Sequence, residues 1–142
     1  MPTDWDAKTR GELIEQQLKP IIARHLNYNE QDLIKQGDFD MIDFIIDDEV
    51  YIEIKERFAK SNTFADAMFP FHKFNYCLAK AMEGKQVYLY FKYYDCTMFY
   101  RFHPNSERDF NFRLGQRYDN GQEPRWYSYL KSEKLTRLHI DH

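Results

Sequence analysis

The chain has 142 residues, of which 43% are hydrophobic and 30% charged, and its formal net charge is −3. That length suits one domain with one core, and the composition excludes a disordered chain. The acidic balance excludes a protein that simply coats nucleic acid. It does not exclude an enzyme acting on nucleic acid, because catalytic carboxylates themselves lower the total.

Gly11 to Leu26 reads as an amphipathic helix, with Ile14, Leu18, Ile21 and Ile22 at helical spacing. Thr9 is placed to cap it, with Glu12 three residues on, and Pro20 is expected to kink or split it. Asn27 to Gly37 is polar and reads as a loop with room for a helical turn or a short strand. Phe39 to Asp47 and Val50 to Arg57 are rich in Ile, Val, Phe and Tyr, and Asp47-Asp48-Glu49 makes a polar turn between them, so a hairpin is predicted.

Thr63 to Gly84 reads as a second helix. Phe64, Ala67, Met68, Phe71, Phe74, Leu78 and Met82 keep to one side, Pro70 interrupts it and Gly84 closes it. Val87 to Tyr94 is apolar at almost every position, as in a strand covered on both faces by helices. Asp95-Cys96 turns it into Thr97 to His103. Beyond Pro104, the alternation at Phe110, Phe112 and Leu114 suggests an edge strand. Asp119-Asn120-Gly121 is a turn, Trp126 to Leu130 is strand-like, and Glu133 to His139 fits either type. The fold class is therefore α/β (α+β): a mixed sheet flanked by helices. Residues 1–142 read as a single domain, with a core over about 11–103 and a C-terminal extension over 104–142.

Cys77, among Phe74, Leu78 and Ala81, reads as a reduced core thiol, and Cys77 and Cys96 together make neither a disulfide framework nor a zinc site. An intracellular, cytoplasmic setting follows. No signal peptide is visible after Met1, and no apolar run approaches the roughly 20 residues of a membrane span.

The chemistry concentrates in the hairpin. Glu53 and Lys55 point to one face of their strand and Ile54 to the other. Asp43 lies ten residues before Glu53, across the turn, so the hairpin brings it back beside Glu53. Two carboxylates and a lysine in a sheet need compensation for their desolvation, and a hard divalent cation supplies it.

The order helix, hairpin, Asp-(ten)-Glu-x-Lys, helix, strand resembles the PD-(D/E)XK nuclease superfamily, whose members include restriction endonucleases, phage exonucleases and Holliday-junction resolvases. The resemblance covers roughly Gly11 to His103, and its specific part is Asp43-Phe-Ile-Ile and Glu53-Ile-Lys55. The family's proline before the aspartate is replaced by Ile42. The wording "YIEIKER", an aromatic-rich helix and "VYLYF" also look like small nuclease-like proteins of phages and large DNA viruses.

The resemblance implies a restriction-endonuclease-like core ordered α-β-β-β-α-β, followed by C-terminal strands. It also implies a Mg²⁺-dependent nuclease, with Mn²⁺ as substitute, acting on DNA as an endonuclease. A virus-encoded enzyme would work in the host cell, as a homodimer where both strands are cut. By resemblance Asp43, Glu53 and the carbonyl of Ile54 bind the metal, and Lys55 orients the attacking water and stabilises charge on the phosphate. Glu15 is the candidate helix glutamate, since "RGELIE" resembles the Gly-x-x-x-Glu start of resolvases; Glu12 is its competitor, and Asp40 competes with Asp43.

Arg57, Lys60 and Lys73 are candidates for holding nucleic acid, and His72 reads as a plain surface or core histidine. Asp47, Asp48 and Glu49 read as turn residues, and His139-x-x-His142 as a terminal pair without metal. From Arg101 onward, Arg101, Arg108, Arg113, Arg117, Arg125, Lys131, Lys134 and Arg137 mix with aromatics, a combination that suits single strands but also a solvated sheet edge. The alternative function is a catalytically silent nuclease-like module that binds nucleic acid or a protein partner.

Overall fold

The structure, a computed structural model, describes residues 4–37, 40–115 and 125–139. Helix α1 spans Asp4–Leu26. After a short 3₁₀ turn, strands β1 (Ile34–Lys35), β2 (Phe44–Ile46), β3 (Val50–Glu56) and β4 (Asp66–Pro70) lead to helix α2 (Phe71–Met82). Strands β5 (Gln86–Lys92), β6 (Thr97–Arg101), β7 (Phe110–Gly115), β8 (Arg125–Lys131) and β9 (Thr136–Arg137) follow. Among the described residues, no helix is long and apolar enough to cross a membrane.

Six strands form a mixed sheet in the order β1-β2-β3-β5-β6-β9, and β4-β8-β7 form a smaller antiparallel one. In the large sheet only β3 and β5 run parallel, with Glu53 opposite Leu89 and Lys55 opposite Phe91. Their connection passes through β4 and α2, as a parallel pair requires. Each helix covers one face. Ile14, Leu18 and Ile22 of α1 pack on Phe44, Ile52, Ile54 and Tyr90. Phe74 and Cys77 of α2 pack on Tyr51, Leu89 and Phe91, together with Phe69 and Leu130 of the small sheet. Strand alternation decides these memberships: Ile52 and Ile54 face α1, while Tyr51 and Glu53 face the α2 side.

The mixed sheet flanked by helices is the expected class. Several local expectations are corrected. The first helix begins before Thr9, so Thr9 is a helical residue and not its cap, and Pro20 lies inside one continuous helix. Residues 63–84 are not one helix: Asp66–Pro70 is a strand on β8, and Pro70 precedes α2 instead of interrupting it. Ala67 and Phe69 are buried and alternate with half-buried neighbours, a period of two that the helical spacing of Phe64, Met68 and Phe71 obscures. Phe64 is accordingly 65% exposed, and Met82 is 67% exposed near the end of α2. The strand expected over Phe39 to Asp47 is described only as Phe44–Ile46, and part of that range lies outside the described residues.

Gly84 ends α2 as expected. Its φ is +88°, and the Lys85 amide donates to the Lys80 carbonyl at 3.0 Å, the closing bond of a Schellman turn. The hairpin turn has positive φ at Asp47 and Asp48, which short carboxylate side chains tolerate. Phe110–Gly115 is the edge of the small sheet, and 132–137 form a 3₁₀ turn and the short β9. The Asp119-Asn120-Gly121 turn, Arg117 and His142 lie outside the described residues.

Candidate active site

The register of the hairpin sets the site. Phe44 pairs with Ile52, so Asp43 stands one step further out, level with Glu53. The Asp43 amide donates to the Ile52 carbonyl at 3.0 Å, and the Ile54 amide donates to Asp43 Oδ2 at 2.7 Å. Asp43 thus uses its carboxylate where a backbone carbonyl would continue the ladder, and both bonds tie it to β3.

Glu53 is 1% exposed. Lys73, in the first turn of α2, donates to Glu53 Oε2, and Lys55 Nζ lies 3.6 Å from the same oxygen. Glu53 Oε1 is buried without any hydrogen-bond partner, the only such side-chain atom among the described residues. An unpaired anionic oxygen in an apolar setting is costly unless something else binds it.

Glu15 comes from α1, on the opposite face of the sheet, and is paired with Lys35 of β1. The Lys35 backbone pairs with Phe44, which places it beside Asp43. Three carboxylates, from α1, the approach to β2 and β3, therefore border one region. Burial, and then the neighbouring Glu53 carboxylate, push Asp43 up to about 7. Burial also raises Glu15, where Lys35 opposes the rise and Asp43 adds to it. Lys55 is lowered, chiefly by burial, against the pull of Glu53 and with the repulsion of Lys73. Burial acts to lower Lys73 too, but the Glu53 carboxylate outweighs it and the ammonium is held above its ordinary value.

The donor set suits a hard cation. Asp43 and Glu53 offer carboxylate oxygens, one of them orphaned, and the Ile54 carbonyl lies on the same strand. Among the described residues, no group of three or more His, Cys, Asp or Glu side chains is arranged to hold a metal ion, so the fit rests on the Asp43–Glu53 pair.

The other candidates separate. Asp40 Oδ2 accepts from the Gly37 amide at 2.6 Å and closes a local turn. Glu12 is exposed, and Glu15 is the glutamate beside Asp43. The Arg57 guanidinium is turned onto the carbonyls of Glu56 and Met68, with the Phe91 ring 5.6 Å away. Lys60 is exposed in the loop after β3 and forms no ion pair among the described residues. His72 is exposed on α2, and its pKa is lowered by burial and by Lys73, Lys55 and Arg125 nearby. Asp48 accepts from the Tyr51 hydroxyl and lies 3.6 Å from Lys85, so it serves the turn. Cys77 is fully buried and free.

Lys35 is the site residue that sequence reasoning missed. It sits in a two-residue strand within a polar stretch, without periodicity to mark it. Comparison of the chain with protein-family models, curated proteins and solved structures finds no match.

Proposed function

We propose that the protein is a divalent-metal-dependent nuclease that hydrolyses phosphodiester bonds, with DNA as its substrate and Mg²⁺ as its cation. The observation that carries this is Glu53 Oε1, a buried carboxylate oxygen without a donor, beside a second carboxylate, Asp43. Asp43 and Glu53 would hold the ion, joined by the Ile54 carbonyl, with Glu15 at its edge. A bound Mg²⁺ lowers the pKa of water and offsets charge on a phosphate.

The chain's own residues supply the rest. Lys55 and Lys73 flank Glu53 from β3 and α2, so a phosphate entering there meets two ammonium groups in a poorly hydrated setting. Lys55 is partly open to solvent and its ammonium is destabilised by burial, which suits a group that orients water or passes a proton to it. Lys73 is more tightly committed to Glu53 and holds that carboxylate in place.

A second reading is a nuclease-like module that binds nucleic acid or a protein without cutting. The Lys73–Glu53 pair favours it, because a carboxylate already neutralised by lysine needs a cation less. Incubation with supercoiled, linear, branched and single-stranded substrates in Mg²⁺, Mn²⁺ and EDTA separates the two. Cleavage that EDTA abolishes supports the nuclease. No cleavage of any substrate with any divalent metal leaves the binding module.

A further inference from the structure

A cavity of about 370 Å³ opens at the carboxyl end of β3. Its lining includes Arg57, Phe58, Phe64, Asp66, Tyr93 and Tyr129. Arg57 is two residues beyond Lys55, so its Cα lies ~7 Å further along the chain at the usual strand rise. Tyr93 follows the end of β5, the parallel neighbour of β3. The pocket therefore lies at the carboxyl ends of the two parallel strands, where open sheets with crossover helices place their ligands.

Two of its sides are held in place by neighbouring groups. Arg113 stacks on the Tyr129 ring at 3.7 Å and donates to Asp66 Oδ2 at 2.7 Å, which fixes one wall and one carboxylate. Arg57 is fixed by two backbone carbonyls at the other side. At the rim, Phe58 and Phe64 are 63% and 65% exposed; the Arg10 guanidinium lies over the Phe58 ring at 5.2 Å, yet both rings still expose most of their surface, a poor use of two phenyls unless something further covers them. Planar aromatic walls, an acceptor carboxylate and exposed rim phenyls, beside two lysines suited to a phosphate, match one ligand chemistry.

We propose that this pocket takes an unpaired nucleobase next to the phosphate held at Lys55 and Lys73, stacking it on Phe58 or Phe64 and presenting Asp66 to its N–H donors. This rests on the phosphodiester reading of the site and sharpens it: the substrate is single-stranded or locally opened nucleic acid, since a paired base cannot leave its stack without cost. Aromatic stacking is tolerant of sequence, so the pocket selects strand state before base identity.

The test is equilibrium binding, in EDTA, of fluorescein-labelled single-stranded oligonucleotides and of duplexes of equal length, to wild type, Phe58→Ala, Phe64→Ala and the double variant. DNA and RNA strands form separate arms. Both rings are exposed, so the variants should melt with wild type. At least one of the two single substitutions, and the double variant, should weaken single-strand binding roughly tenfold, the scale of one lost base stack, and duplex binding less than twofold. No measurable single-strand binding by wild type, unchanged affinity in both variants, or equal losses for strand and duplex would overturn the proposal. So would a wild-type dimer in sedimentation that Phe64→Ala dissolves, since a second copy would then be the occupant. Phenylalanine-dependent strand binding by a wild type that cuts nothing with any metal would instead remove the nuclease and leave the pocket standing.

Discussion

Lys73 of α2 and Glu53 of β3 form an ion pair across the packed face of the sheet, with the carboxylate 1% exposed. The pair sits where the parallel crossover brings helix and strand together, and it leaves Glu53 Oε1 unused. A helix cation thus neutralises one oxygen of the carboxylate while the other stays open.

Removing that cation should be costly. Lys73→Met leaves Glu53 buried beside Lys55 alone, and breaking a buried pair from one side costs roughly 3–5 kcal/mol. Glu53→Gln in the same chain should recover much of the loss, because the glutamine carries no charge to neutralise. Urea denaturation of the two single variants and the double variant measures the coupling; additive effects would mean the pair contributes nothing specific.

The metal-free protein should lose stability as pH rises. Asp43 sits at about 7 when folded against an ordinary 3.8. Between those values the folded state keeps a proton that the unfolded state has lost, so stability falls from about pH 4 to about pH 7 and then levels, by ~4 kcal/mol at most. Asp43→Asn should still accept the Ile54 amide and flatten that slope. Denaturation midpoints in EDTA at several pH values check it; an unchanged slope in the variant would assign the titration elsewhere.

Metal binding should release protons. Mn²⁺ needs Asp43 ionised, so binding near pH 7 should expel about half a proton per ion. Calorimetry in buffers of different ionisation enthalpy reads that number. Glu53→Ala and Asp43→Asn should each weaken binding at least tenfold. Asp40→Asn should not, because Asp40 is spent on the Gly37 amide.

Lys55→Ala should lower the cleavage rate at least roughly a hundredfold with metal binding retained, the scale of losing one well-placed charge stabiliser. Lys55→Arg should rescue poorly, since a planar guanidinium cannot replace a compact ammonium that exchanges a proton with water. Glu15→Gln should have a milder effect. Equal rates for wild type and Lys55→Ala would remove Lys55 from the chemistry.

The juxtaposition of Asp43 and Glu53 was legible because it depends on a local hairpin and on the two-residue period of its strands. The covered character of β5 was legible for a similar reason: apolar residues on both faces leave little choice. What escaped depends on distant partners. Asp66–Pro70 carries helical spacing as well as alternation, and its strand state is set by pairing with β8, some sixty residues away. Lys35 joins the site only because two residues pair with β2. Arg57 reads as a surface cation until β4 folds back against it and supplies the Met68 carbonyl.

The parallel pairing of β3 with β5 has a kinetic corollary. The α1 helix and the β2–β3 hairpin draw on the first 56 residues, and all three carboxylates belong to them. Lys73 arrives only when the chain between β3 and β5 has closed its loop, a step whose entropy is lost before its contacts form. A nascent chain that has emerged only as far as β3 would therefore carry an acidic hairpin without its main neutralising partner. Closure of the crossover is then the step at which the site's charge balances, and refolding should slow in Lys73→Met more than in variants of the small sheet's outer edge.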